Sequence, residues 1–178
     1  MENIVSETTS SMVKTGNEKT MEFTNKADKA LNDQIELVVG AWEKLFEYFK
    51  SIRDIGFRDS IEIPSLWLYW LNSDREKGKF NTRFSFANNS FRISEHTYSS
   101  SFDWECVLTD EGLKQQKEKL RNEKEYRYAV KKLVSEWSTV KPKIEEAINK
   151  FMTEKMQKAE SRMKNVLEMN DKLANFVV

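Results

Sequence analysis

Seven apolar residues, Leu31, Ile35, Val38, Trp42, Leu45, Phe49 and Ile52, recur in alternating steps of four and three without a miss. An α-helix keeps such a set on one side of the chain, because 3.6 residues complete a turn. The spacing predicts one long helix from about Glu18 to Ile55. Val39 and Phe46 flank the seam and widen it beyond a two-helix zipper, so this helix is expected to meet more than one packing partner. Gly56 follows the last seam residue closely, where a left-handed cap costs glycine little. Residues 1–17, with Glu2, Glu7 and a run of Ser and Thr, read as a flexible leader without the apolar stretch of a signal peptide.

From Ser60 to Leu108 the period changes to two. Phe80, Thr82, Phe84 and Phe86 share one face, and Phe91 and Ile93 alternate with Arg92 and Ser94. A two-residue turn at Asn88-Asn89 sets Phe86 opposite Phe91 and Phe84 opposite Ile93. The same logic applied to Ser99-Ser100 sets Thr97 opposite Phe102, Glu95 opposite Trp104 and His96 opposite Asp103, although serine suits such turns less well. An earlier strand is expected over Ile61 to Leu71, at a sheet edge because of Pro64. Together these give an antiparallel meander of three or four strands.

Thr109 then reads as the N-cap of a second helical region, with Asp110 and Glu111 in its first turn. Pro142, after the helix-poor run Ser138-Thr139-Val140, is expected to kink or split it. Beyond that point Met152, Met156, Ala159, Met163, Val166, Asn170, Leu173 and Val177 again step by four and three, as in a coiled coil. The fold class is therefore α+β: a long N-terminal helix, the meander, and a long C-terminal helical region. A core is expected over 18–141 and a helical arm over 142–178, packed back or used for association.

Catalytic chemistry has little to draw on. The chain holds one histidine and one cysteine. His96 and Cys106 fall at positions of opposite parity, so they point to opposite faces and form no dyad. Paired with Asp103, the imidazole reads as a surface hydrogen-bonding group, and Cys106 as a small core residue. One Cys and one His compose no zinc site, and five scattered glycines form no phosphate loop. No enzyme, cofactor or metal is expected.

Charge is more informative. The 29 basic and 29 acidic groups cancel over the chain, but residues 1–60 carry 8 basic against 11 acidic groups and residues 109–178 carry 16 against 12. The excess is sharpest over Lys114 to Lys132. There Lys114, Lys117, Arg121, Lys124 and Lys131 fall on one helical stripe, with Tyr128 filling the remaining step. Such a stripe could lie along a phosphate backbone, but a solvated face, or a face that pairs with the acidic first helix, is the commoner use of such charge. A second candidate surface is the polar face of the sheet, with Arg83, Arg92, His96 and Tyr98, joined by Trp67 and Tyr69 if the first strand has the right parity. Apolar residues on both sides of that strand imply that both sheet faces are covered, by a helix or a partner. The third is the late seam, where Met152, Met156, Met163, Val166 and Leu173 offer an adaptable strip for self-association.

These features point to a non-enzymatic protein-protein interaction protein, an oligomeric adaptor or an inhibitor that blocks another protein. Its partner is a protein of unknown identity or another copy. No window approaches a membrane span, and a lone cysteine suits a cytoplasmic home. The Lys-, Glu- and Asn-rich composition is consistent with a phage or mobile element. The alternative is a nucleic-acid or nucleotide binder using the basic stripe or the Arg83/Arg92 face.

Overall fold

The first seam lies on helix α1, Glu2–Asp54. The computed structural model describes the backbone of residues 2–64, 66, 68, 81–96 and 101–176, and their side chains except at 2–17 and 96. Helical backbone starts at Glu2 rather than near Glu18, so the stretch expected as a leader continues the helix; no proline before Pro64 interrupts it. Gly56 ends it at φ +83°, its N–H donating to the Arg53 carbonyl at 2.9 Å, which is the left-handed cap expected there. Five of the seven seam residues, from Val38 to Ile52, are buried together with Val39 and Phe46, whereas Ile35 is half-buried and Leu31 exposed.

Strands β1 (Ser60–Pro64), β2 (Asn81–Phe86), β3 (Ser90–His96) and β4 (Ser101–Val107) form one antiparallel sheet in chain order. The first hairpin has the expected register, Phe86 opposite Phe91 and Phe84 opposite Ile93 around Asn88-Asn89. The second is displaced by two residues: Phe91 faces Cys106, Ile93 faces Trp104, Glu95 faces Phe102 and His96 faces Ser101. His96 therefore does not oppose Asp103, which lies across from Ser94. A slip of two keeps every side chain on its own face, so alternation alone cannot detect it. The described pairing ends at His96 opposite Ser101, and the serines expected to form the turn, at 99 and 100, lie outside the described residues.

Strand β1 is an edge strand, as Pro64 implied; it covers Ser60–Pro64, neither Leu66 nor Leu68 continues it, and the rest of the stretch expected to reach Leu71 lies outside the described residues. Buried polar groups explain the end. The Thr82 hydroxyl lies 2.7 Å from the Leu66 carbonyl and 2.6 Å from Glu95 Oε1, and the Leu68 N–H donates to that same carboxylate oxygen at 2.7 Å. Side chains thus take up backbone groups that a longer strand would have paired.

The C-terminal region divides into α2 (Asp110–Asn122), α3 (Lys124–Ser135) and α4 (Trp137–Ala174). Thr109 caps α2, its hydroxyl accepting from the Gly112 N–H at 3.1 Å. The split lies at Glu136, six residues before Pro142, which sits inside α4. A second break at Glu123 had no proline or glycine to announce it. There the Arg127 guanidinium donates to the Leu120 and Arg121 carbonyls at 2.8 and 2.9 Å, replacing the helical partners those carbonyls lose.

All described helices that touch the sheet lie on its apolar face. Trp42 stacks on Trp104 with ring centroids 4.3 Å apart, and Phe49 stacks on Phe91 at 3.9 Å. Trp104 Nε1 donates to buried Gln116 Oε1, fastening α2 to β4. Contacts of α3 and α4 advance along α1: Lys131 meets Gln34, Trp137 meets Tyr48, and Lys155 reaches the Ile55 carbonyl. Contacts along α4 thus advance toward the C-terminal end of α1, and α4 continues past it. The exposed described stretch of α1, residues 18–34, leaves the core at the opposite end from the exposed part of α4, giving lengths of roughly 25 and 35 Å at about 1.5 Å per residue.

Two glycines separate close packing from helix propensity. A Cβ at Gly112 would stand 2.0 Å from the Val107 carbonyl oxygen, whereas one at Gly40 would meet nothing within 4 Å. Gly112→Ala is expected to destabilise by about 1–3 kcal/mol through overpacking. Gly40→Ala is expected to stabilise by about 0.5–1 kcal/mol through helix propensity alone. Urea-unfolding midpoints that move in the same direction would refute this assignment.

Candidate interaction surface

The basic stripe is mostly engaged by the acidic helix. Arg121 forks onto Glu36, with Nε to Oε1 at 2.7 Å and an N–H to Oε2 at 2.9 Å. Lys117 pairs with Glu43, Lys131 donates to Gln34 Oε1 at 2.8 Å, and Lys50 reaches Asp110 at 3.4 Å. The extended backbone of Glu123 also interrupts the single stripe expected over 114–131, placing Lys124, half-buried Tyr128 and Lys131 on α3 and the others on α2. Lys114 and Lys124 are exposed, and Lys119 lies over the Tyr126 ring at 3.9 Å.

The outer sheet face is also balanced. Arg83 pairs with Glu62 directly across the β1–β2 ladder, and Arg92 pairs with Glu105 across β3–β4 at 2.9 Å. The two arginines are diagonal neighbours as expected, but each guanidinium is matched by a carboxylate. About half of each arginine side chain is exposed, so the cover expected over this face does not reach them among the described residues. Trp67, Tyr69 and Tyr98, and the side chain of His96, lie outside the described residues. Leu66 and Leu68 are buried.

Among the described residues, chemical groups suited to catalysis do not gather. Cys106 is fully buried, and burial pushes its thiol pKa up, away from the thiolate a nucleophile needs. Among the described residues, no three His, Cys, Asp or Glu side chains cluster as metal ligands would. Also among these residues, no helix is long and apolar enough to cross a membrane. Glu95, hidden in the sequence within an apolar row, is a buried carboxylate, but its visible contacts organise the segment after β1.

The late seam is the surface left open. Ile144 is buried and Ala147, Ile148 and Phe151 are half-buried against the core, whereas every described residue from Met152 onward is exposed. Met156, Met163, Val166 and Leu173 each show more than half of their surface, and Met152 is the least open at 37%. Leu167, Met169 and Phe176 add further apolar area to the same arm. A solvated helix with a continuous strip of this kind lacks the burial that most helical stability comes from.

A second apolar surface is a groove of about 750 Å³ where α1 passes α3 and the start of α4. Leu37, Gly40, Ala41, Val134 and Trp137 are among its lining residues, with Lys44 and Lys141 also on its walls. Tyr48 lines it too, with its hydroxyl pKa pushed up to about 12 by burial and by the negative charge of Glu145. The sequence pattern had assigned these residues to separate helices without bringing them together.

With this geometry established, comparison with protein-family models, curated proteins and solved structures finds no match for the chain.

The cross-helix and cross-strand pairs give a definite acid response. Hydrogen bonds from Arg121, Arg83 and Arg92 hold the carboxyls of Glu36, Glu62 and Glu105, respectively, below their ordinary value of 4.5. A carboxyl pKa lowered on folding adds stability above its unfolded value, and that share is lost as pH falls through the folded value. Stability is therefore expected to be level from neutrality to about pH 5 and to drop below it. Each pair is at the surface and individually weak, so Glu36→Gln should only reduce the slope. Urea midpoints measured across this range provide the check, and an identical acid slope in Glu36→Gln would exclude the Arg121 pair as a contributor.

Proposed function

We propose that this protein is a non-enzymatic interaction module, an oligomeric adaptor or a small inhibitor, whose core aims helical arms at a protein partner. The observation that carries this reading is that α4 leaves the core after Phe151 with its four-and-three apolar seam still exposed. Exposed apolar strips on rigid helices are a common means of helix-mediated recognition. Methionines suit the task because an unbranched, polarisable side chain adapts to the facing surface.

The charge pattern supports the same reading. Lys117, Arg121 and Lys131 are engaged by α1, and Arg83 and Arg92 by neighbouring strands, so little organised positive charge is left for phosphates. The nucleic-acid alternative therefore has less support than a protein partner.

The double substitution Met156→Glu, Met163→Glu places charge in the seam well beyond the core. Its effect on core stability should stay within about 0.5 kcal/mol, because the altered positions are exposed. Full-length protein immobilised in cell extract is expected to retain a partner, or a further copy of itself, that the double variant loses. Identical retention by both proteins would remove the arm from the proposal.

A further inference from the structure

Resting on the reading of α4 as a contact arm, we infer that its occupant is a second copy of the same arm, aligned parallel and in register as a two-stranded coiled coil. The four-and-three spacing assigns Met156, Met163 and Asn170 to the a positions and Met152, Ala159, Val166 and Leu173 to the d positions. In a parallel pair each a position faces its own counterpart. The exposed Asn170 then meets Asn170 of the other copy, and two amides satisfy each other across the seam. Antiparallel pairing would instead set Asn170 against a d residue. All of those residues are apolar here, so the amide would lose solvent without gaining a partner.

Flanking charge agrees with the parallel choice. Lys155 occupies a g position and Glu160 the e position five residues later, which is the pair that parallel helices bring together across the seam. Lys155 also reaches the Ile55 carbonyl at 3.4 Å, but an ammonium has three donors and can serve both groups. Farther along, Leu167 at e and Met169 at g are exposed and would extend the apolar strip on both sides of the Asn170 layer.

The seam and the core-facing side of α4 do not coincide. Helix α4 turns Ile144, Ile148 and Phe151 toward its own core. The seam begins at Met152, rotated around the helix by about 100° from Phe151, about 80° from Ile144 and about 40° from Ile148. Two-fold pairing along the seam points the two core-facing sides in opposite directions across the coil.

Single-cysteine variants Met156→Cys and Leu173→Cys, each in the full chain, test orientation and register together. They lie at opposite ends of the seam, roughly 25 Å apart at about 1.5 Å per residue. Under mild oxidation both are expected to give covalent homodimers, whereas Ser161→Cys, on the outer f position, remains monomeric on a non-reducing gel. Native Cys106 is buried and stays silent. Light scattering on the unmodified chain should approach twice the monomer mass as concentration rises, and Met156→Glu, Met163→Glu should remain at the monomer mass. A monomer mass throughout, a mass above two copies, or cross-linking only when Met156→Cys is mixed with Leu173→Cys would overturn the inference. If the unmodified chain stays monomeric but still captures a partner lost by the Glu variant, only self-pairing fails; if capture is also unaffected, the contact-arm reading fails with it.

Discussion

The stack of α1 aromatics on the sheet is the interaction on which the rest of the fold depends. Trp42 on Trp104 and Phe49 on Phe91 fix both the height and the rotation of α1 over the strands. Side chains of this size each bury a large apolar area and so weigh heavily in the energetics of the core. Once α1 is fixed, its acidic flank stands where Arg121 and Lys117 of α2 arrive, and Tyr48 stands where Trp137 opens α4. The direction of the α4 arm follows from that last contact and from Phe57 against Phe151.

Charge has a different part in the structure. The net charge of zero conceals an acidic first helix and a basic C-terminal region. In the folded chain, much of the basic excess faces α1, and the arginines on the sheet face cross-strand carboxylates. Exposed pairs of this kind contribute little stability each. They set which faces can approach, and they leave uncompensated apolar area, rather than uncompensated charge, as the prominent feature of the open surface.

Much of this was legible because periodicity is a local property. The α1 seam, the Gly56 stop, the Thr109 cap and the first hairpin register each depend on residues close in sequence, where sterics and turn chemistry allow few choices. The second hairpin escaped because a shift by two residues preserves alternation. The break at Glu123 escaped because what compensates it, Arg127 reaching back to the end of α2, is a contact with no composition signal. Glu95 escaped for a related reason: a carboxylate in an apolar row becomes intelligible only when Thr82 and the Leu68 N–H are beside it.

The late seam joins both kinds of knowledge. By itself the sequence determined that Met152 to Leu173 forms a helix with one apolar side, because spacing alone dictates which residues share a face. Only the tertiary structure decided that this side is left uncovered. Whether a seam is buried depends on where its helix is fixed, and α4 is fixed by Trp137, Ile144 and Phe151 in a direction that carries the later turns past the end of α1.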